Sequence, residues 1–168
     1  MIVKKYILSN LNRFDRLYNQ SLISSDPKDP IYYSKLAVIE FCGWIEMSMD
    51  DIINRSAYPY LKTTIFKQML SDTIDNVYGF QYKKHFRKTL CHAIGMVKME
   101  KIETKLINNG DLDTFKSQLD NLKKLRDEAA HTWVSGTTPI YPSPSIIISY
   151  LMIIYPILRF LYSEVSNK

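Results

Sequence analysis

The segment DLDTFKSQLDNLKKLRDEAAH, residues 111–131, indicates the class of the fold. Its apolar residues recur every three or four positions, which places them on one face of an α-helix. They are Phe115, Leu119, Leu122 and Leu125. Asp111 or Asp113 can cap the start of this helix. The following sequence, TWVSGTTPIYPSPS, is rich in turn-forming residues, so we predict that the helix ends at His131.

The rest of the chain shows the same pattern in segments separated by proline and glycine. Helical spacing predicts further helices over about residues 3–22, 31–56, 61–77 and 81–106, and from residue 145 onward. The breaks fall at SSDPKDP, YPY, Gly79 and NNG. The chain has only 5 glycines, which argues against a strand-rich fold, and 168 residues suit one domain. We therefore predict an all-α fold, a single helical bundle of five to six helices spanning residues 1–168.

The apolar run IIISYLMIIYPILRFL, residues 146–161, is the one segment that raises the question of a membrane span. It is shorter than the roughly 20 apolar residues that a span needs, and it contains Pro156 and Arg159. We expect a C-terminal helix that is buried in the bundle and kinked near Pro156, with a dimer face as an alternative. Gly43, inside the second helix, suggests close helix packing.

Cysteine usage and charge bear on compartment and partners. Cys42 and Cys91 lie in apolar segments, and the N-terminus lacks the features of a signal peptide, so we expect a reducing, cytoplasmic location. The formal net charge of +5 is compatible with a polyanionic partner, because each phosphate contact needs a lysine or an arginine. The positive net charge could equally serve solubility alone.

Arg126, followed at once by Asp127, stands five positions before His131. A similar spacing occurs between Arg87 and His92. Residues five apart on an α-helix point about 140° away from each other, so a pair held in mid-helix does not converge. The second pair lies inside a predicted helix, whereas the first ends where the helical pattern stops and the backbone can turn. Arg126 and His131 are therefore the stronger candidates.

The sequence LKKLRDEAAHTW, residues 122–133, resembles the signature of the HEPN superfamily, in which a histidine follows an arginine by four to six positions late in a helical bundle. Among the branches of this superfamily, the chain resembles the small stand-alone HEPN-like nucleases of bacterial toxin–antitoxin and anti-phage defence systems. The helical pattern, the length and the position of the motif agree with this. The resemblance implies a homodimer that cleaves single-stranded RNA without a metal or a cofactor, with an antitoxin or a defence-system protein as a further partner.

The resemblance also implies a role for each residue of the motif. Arg126 would hold the scissile phosphate and stabilise its developing charge. His131 would take the proton of the 2′-hydroxyl or protonate the leaving 5′-oxygen, so DNA would be spared. Asp127 would orient one of these groups. In the second helix Glu40 or Glu46 resembles the acid that some family members place near the site. We predict Glu40 as the supporting acid, with a solvated or salt-bridged position as the simpler alternative.

Residue 133 departs from one branch of the family. Where the partner is a nucleotidyltransferase antitoxin, a tyrosine two positions after the histidine is the modified residue, and here that position is Trp133. Nucleotide transfer onto this position is therefore not expected. Trp133 is a candidate for stacking on a base or for anchoring the core. A basic stretch, residues 81–92, predicts an RNA-binding surface or a solvated helix face, through Lys83, Lys84, Arg87 and Lys88.

The sequence is also compatible with functions other than RNA cleavage. His85 and His92 are two helical turns apart, about 10 Å, too far to share a zinc ion, so we predict no metal site. A non-catalytic HEPN-like subunit that binds RNA or protein within a larger complex is the main alternative, and a chance motif in an unrelated bundle is the third. Catalysis predicts that Arg126 and His131 face their copies across a two-fold axis. A scaffold predicts that they lie apart or are paired into the surface.

Overall fold

A computed structural model describes residues 3–23, 26–131 and 141–166, which form seven α-helices and no strand. The helices are α1 (Lys4–Ser21), α2 (Asp29–Ala57), α3 (Thr64–Asp75), α4 (Arg87–Ile94), α5 (Met96–Asn108), α6 (Asp111–His131) and α7 (Pro144–Ser166). A 3₁₀ turn, Tyr58–Tyr60, follows α2, and a π-helical turn, Tyr82–Phe86, leads into α4. The predicted all-α fold class is confirmed.

The difference from the predicted helix count arises within residues 81–106. One continuous helix was expected there, but Gly95 separates α4 from α5 with φ at +81° and ψ at 158°. A side chain would make this backbone conformation costly, and an α-helix cannot pass through it. The stop predicted at NNG is found, because α5 ends at Asn108 and Gly110 has φ at +75°.

The core is one apolar cluster to which all seven helices contribute. The long helix α2 lies at its centre and packs against α1, α6 and α7. The stripe predicted on α6 faces this core: Phe115, Leu119 and Leu122 are fully buried, and Leu125 is partly buried. The Cys42 thiol of α2 donates a weak hydrogen bond to the Leu122 carbonyl of α6 at 3.8 Å. Helix α6 is thereby held along its length by the buried helix beneath it.

Helix α7 is long and apolar enough to cross a membrane by length and composition alone. Eight of its residues are buried in the bundle, where it packs against α1, α2 and α6, while Ile146, Met152 and Ile153 are exposed. The helix continues through Pro156. Gly43 of α2 is exposed, with nothing within 4 Å of the position that a Cβ would take, so the close helix packing expected at Gly43 does not occur within the described residues.

Candidate functional site

Arg126 lies near the end of α6 at the edge of the core. Its side chain is 34% exposed. The guanidinium carbon lies 5.6 Å from the centroid of the Phe80 ring, which is buried beneath it. The ring face attracts the cation and limits its freedom. One helical turn earlier, buried Leu122 anchors the helix. The Arg126 side chain is therefore a cation whose position is restricted by Phe80 but which is still accessible to solvent.

Asp127 contacts Arg126 but has a stronger partner. Its Oδ1 lies 3.4 Å from the Arg126 Nε, and its Oδ2 accepts a hydrogen bond from Lys123, one turn earlier on α6. The Lys123 hydrogen bond, followed by the charges of Lys123 and Arg126, holds the pKa of Asp127 below its usual value. The predicted contact with the guanidinium is present. Lys123, which the sequence pattern did not single out, adds a second cation beside Arg126.

The acid that lies close to this cluster is Glu46. Its carboxylate accepts a hydrogen bond from the Gly79 N–H, next to the Phe80 ring that supports Arg126. Glu40 is exposed and makes no ion pair with any described residue. Positions 40 and 46 are six residues apart on a continuous helix, so they point in directions about 120° apart and only one can face the site. The structure places Glu46 there.

Asp50, one turn after Glu46 on α2, extends the acidic side of the cluster. Its carboxyl is partly buried, and burial raises the pKa of Asp50 to about 6, with further contributions from Glu46 and from Asp75 of α3. The proton is therefore retained in mildly acidic solution. The acids lie toward α3, whereas the cations Lys123 and Arg126 lie on α6.

His131 is exposed at the last residue of α6. Because the helix is regular from Asp111 onward, His131 points about 140° away from Arg126. The two side chains therefore do not converge within one chain. Trp133 falls in residues 132–140, outside the described residues, so its predicted role as a stacking residue stays a prediction.

The histidine that lies near Arg126 in the same chain is His85. Its ring packs against Gly79, and its Nδ1 accepts a hydrogen bond from the Gln81 N–H at 3.2 Å. Burial, followed by the charge of Lys84, lowers the pKa of His85; Arg126 and Lys123 act in the same direction, and Glu46 opposes them. Periodicity could not reveal this proximity, because it depends on the non-helical segment around Gly79, where φ is +117°.

The four residues of the predicted basic surface differ in their surroundings. Arg87 forms an ion pair with Glu103, with Nε 2.8 Å from Oε1, so part of its charge is already neutralised. Lys83, Lys84 and Lys88 are exposed. Lys84 and Lys88 line an open groove together with His85 and His92, beside the end of α3. Of the four predicted residues, these two lysines share a groove with a histidine of the Arg126 cluster.

The cluster combines a charged fork, a lysine and a histidine at a partly open surface. Such a set of donors suits an oxyanion, and a phosphate above all. Among the described residues there is no group of three or more histidines, cysteines or acids placed to hold a metal ion.

No protein-family model matches this chain, and comparisons with curated proteins and with solved structures find no match either. The resemblance to the HEPN superfamily therefore rests on the motif and on its place in an all-α bundle.

Proposed function

We propose that this chain is the subunit of a metal-independent endoribonuclease that cleaves single-stranded RNA as a homodimer. Each composite site would combine Arg126 and His131 from the two copies. The observation that carries the proposal is the state of Arg126, a permanent cation that is braced by Phe80 yet one-third exposed. Its ion pair with Asp127 is long, at 3.4 Å, and leaves the guanidinium open to solvent.

The hydrogen bonding of Arg126 leaves capacity for a phosphate. A guanidinium has five N–H donors, and the ion pair to Asp127 is long, at 3.4 Å. Asp127 is held chiefly by Lys123. The remaining donors of Arg126 can form a two-pronged contact with phosphate oxygens, and Lys123 adds positive charge beside it.

The divergence of Arg126 and His131 is the reason for a dimer. Within one copy they point about 140° apart, so a His131 that acts on a phosphate held by Arg126 comes from the second copy. A two-fold axis near the end of α6 would supply it, and exposed Ala130 is small enough to permit a close approach. Dimers of this symmetry use the same surface patch on both subunits.

The reaction follows from these roles. His131 removes the proton of the ribose 2′-hydroxyl or donates one to the leaving 5′-oxygen, and water takes part in the other proton transfer. The 2′-oxygen attacks the adjacent phosphorus, the bond to the 5′-oxygen breaks, and the products carry a 2′,3′-cyclic phosphate and a 5′-hydroxyl. Arg126 stabilises the negative charge on the nonbridging oxygens. Glu46 helps to position the Gly79–Phe80 segment beneath the guanidinium.

The biological role is part of the same proposal. The motif and the all-α bundle support a HEPN-type effector of a toxin–antitoxin or anti-phage defence system that acts in the cytoplasm. An antitoxin or another defence protein would then restrain the nuclease until it is needed.

The test measures cleavage of labelled single-stranded RNA in excess EDTA and identifies the product ends. Arg126→Ala and His131→Ala should each lower the rate by about 100-fold or more. Asn19→Ala, an exposed change on α1, is the matched control and should cut like the wild type. A DNA strand of the same sequence should stay intact.

Mixing the two inactive variants tests the composite site. In a heterodimer of Arg126→Ala with His131→Ala, one of the two sites receives an intact arginine from one copy and an intact histidine from the other. In an equal mixture whose subunits exchange freely, half of the dimers are such heterodimers. Activity should therefore return to about a quarter of that of the same amount of wild-type dimer, which is the share of sites that are complete. Failure of every mixture to cut, when wild type does, contradicts a shared site. If the wild type binds RNA but cuts none, the chain is a non-catalytic RNA-binding module, a role that the exposed Lys83, Lys84 and Lys88 would also serve.

A further inference from the structure

His85 owes its position to an irregular stretch of backbone. Gly79 has φ at +117°, a conformation that favours glycine, and the π-helical turn Tyr82–Phe86 follows and leads into α4. The His85 ring packs directly on Gly79, where a Cβ would come within 2.8 Å of the His85 Cε1.

The same short segment connects His85 to the Arg126 cluster. The Gly79 N–H donates to Glu46, and the next residue, Phe80, carries the Arg126 guanidinium over its ring. His85, Glu46 and Arg126 therefore surround one turn of chain. The imidazole also lines the open groove that contains Lys84 and Lys88.

The hydrogen bond from Gln81 determines which ring nitrogen carries the proton. Because the Gln81 N–H donates to Nδ1 at 3.2 Å, Nδ1 is the unprotonated nitrogen, and the hydrogen of the neutral ring is on Nε2. The ring is kept neutral by partial burial and by the cations around it, from the π-helical turn (Lys84) and from α6 (Arg126 and Lys123), with Glu46 of α2 opposing them. A neutral imidazole in this tautomer is a hydrogen-bond donor through Nε2.

We propose that His85 is a substrate-binding residue of the nuclease site, and that its Nε2–H donates to a phosphodiester oxygen of RNA lying in the groove with Lys84 and Lys88. The inference rests on the proposed function, since it takes RNA as the ligand. A neutral donor adds a directed contact to a site that already holds permanent cations. It gives each chain a phosphate contact that does not depend on the second copy.

The experiment measures binding of a single-stranded 2′-O-methyl RNA, which lacks the attacking hydroxyl and is not cut, by fluorescence anisotropy in EDTA. His85→Ala should weaken binding by about tenfold, the worth of one hydrogen bond to a charged group. His85→Gln, whose neutral amide can donate, should recover most of that loss. Gly79→Ala should also weaken binding while leaving the imidazole in the chain, because the new methyl group displaces the ring. Asn19→Ala is the control.

The outcomes separate this inference from the proposed function. Weakened binding by His85→Ala supports the RNA contact of His85 even when the wild type cuts no RNA, a result that overturns only the nuclease. Binding within twofold of the wild type for folded His85→Ala overturns this contact even when cleavage is normal. Absence of oligonucleotide binding by the wild type also overturns the inference about His85. The proposed nuclease is then tested by the cleavage assay alone. If His85→Ala does not fold, ¹⁵N spectra of the wild-type histidines decide: the Nε2–H signal of His85 must shift when RNA is added, and an unchanged signal overturns the inference.

Discussion

The Asp50 carboxyl predicts a specific dependence of stability on pH. Burial, with Glu46 and Asp75 nearby, raises the pKa of Asp50 from the usual 3.8 to about 6 in the folded chain. The folded state therefore binds this proton more tightly than the unfolded chain does. The stability that the group contributes is fully present below about pH 4 and is lost as the pH rises through about 6.

The size of the effect follows from the two pKa values. A change in pKa from 3.8 to about 6 corresponds to about 3 kcal/mol of unfolding free energy. Asp50 is only partly buried, and solvent screens its interactions with the other carboxylates, so we expect about 1–2 kcal/mol. Asp50→Asn, which cannot ionise, should therefore be about 1–2 kcal/mol more stable than the wild type at pH 8, with no gain at pH 4.

Urea unfolding followed by far-UV circular dichroism at pH 4, 6 and 8, at low ionic strength, measures this difference. Asp120→Asn, an exposed change on α6, is the matched control and should show no comparable trend. An Asp50→Asn variant whose stability relative to the wild type is the same at pH 4 and pH 8 would refute the reasoning. So would a loss of stability at pH 8, since the amide would then lack a contact that the charged carboxylate makes.

Two further predictions concern the packing around the site. Leu122→Ala should lower the unfolding free energy by about 2–5 kcal/mol, because the side chain is fully buried between α6 and α2; a loss below about 1 kcal/mol in urea unfolding would contradict the tight contact. Tyr82→Phe should cost about 1–2 kcal/mol, because the buried hydroxyl donates to Glu103 at 2.9 Å, and burial and that carboxylate raise the pKa of Tyr82 and keep it protonated. The cost should be the same at pH 6 and pH 9, and a variant as stable as the wild type would show that this hydrogen bond contributes nothing.

The helices were largely predictable because their apolar stripes are long and regular. The predicted helix over residues 111–131 matches α6 from Asp111 to His131, and the predicted 31–56 lies within α2. Gly95 was the exception, because a single glycine in a helical pattern is often tolerated. Its conformation, with φ at +81°, depends on how α4 and α5 each pack on the core. The spacing of apolar residues along the sequence does not reveal such tertiary packing.

The candidate site was predictable in part. Arg126 could be found because a motif is a local pattern, and its neighbour Asp127 came with it. The sequence could not show that Glu46 and His85 lie near Arg126, since their positions depend on the rotation of α2 and on the backbone conformation at Gly79. The charge pattern likewise overestimated the positive charge that Arg87 offers to RNA. Its ion-pair partner, Glu103, is sixteen residues away on another helix and could not be identified from the sequence.

Helix α6 contributes both to the core and to the candidate site. Buried Leu122 and Ala129 lie about one helical turn before and after Arg126. This has a consequence for genetic screens that read activity in cells. A core substitution in α6 that removes 1–2 kcal/mol of stability can lower the amount of folded protein several-fold. Under the proposed function, such variants would be scored as inactive beside those that replace Arg126. Measuring the amount of each variant per cell separates the two groups, since only the second remains abundant while inactive.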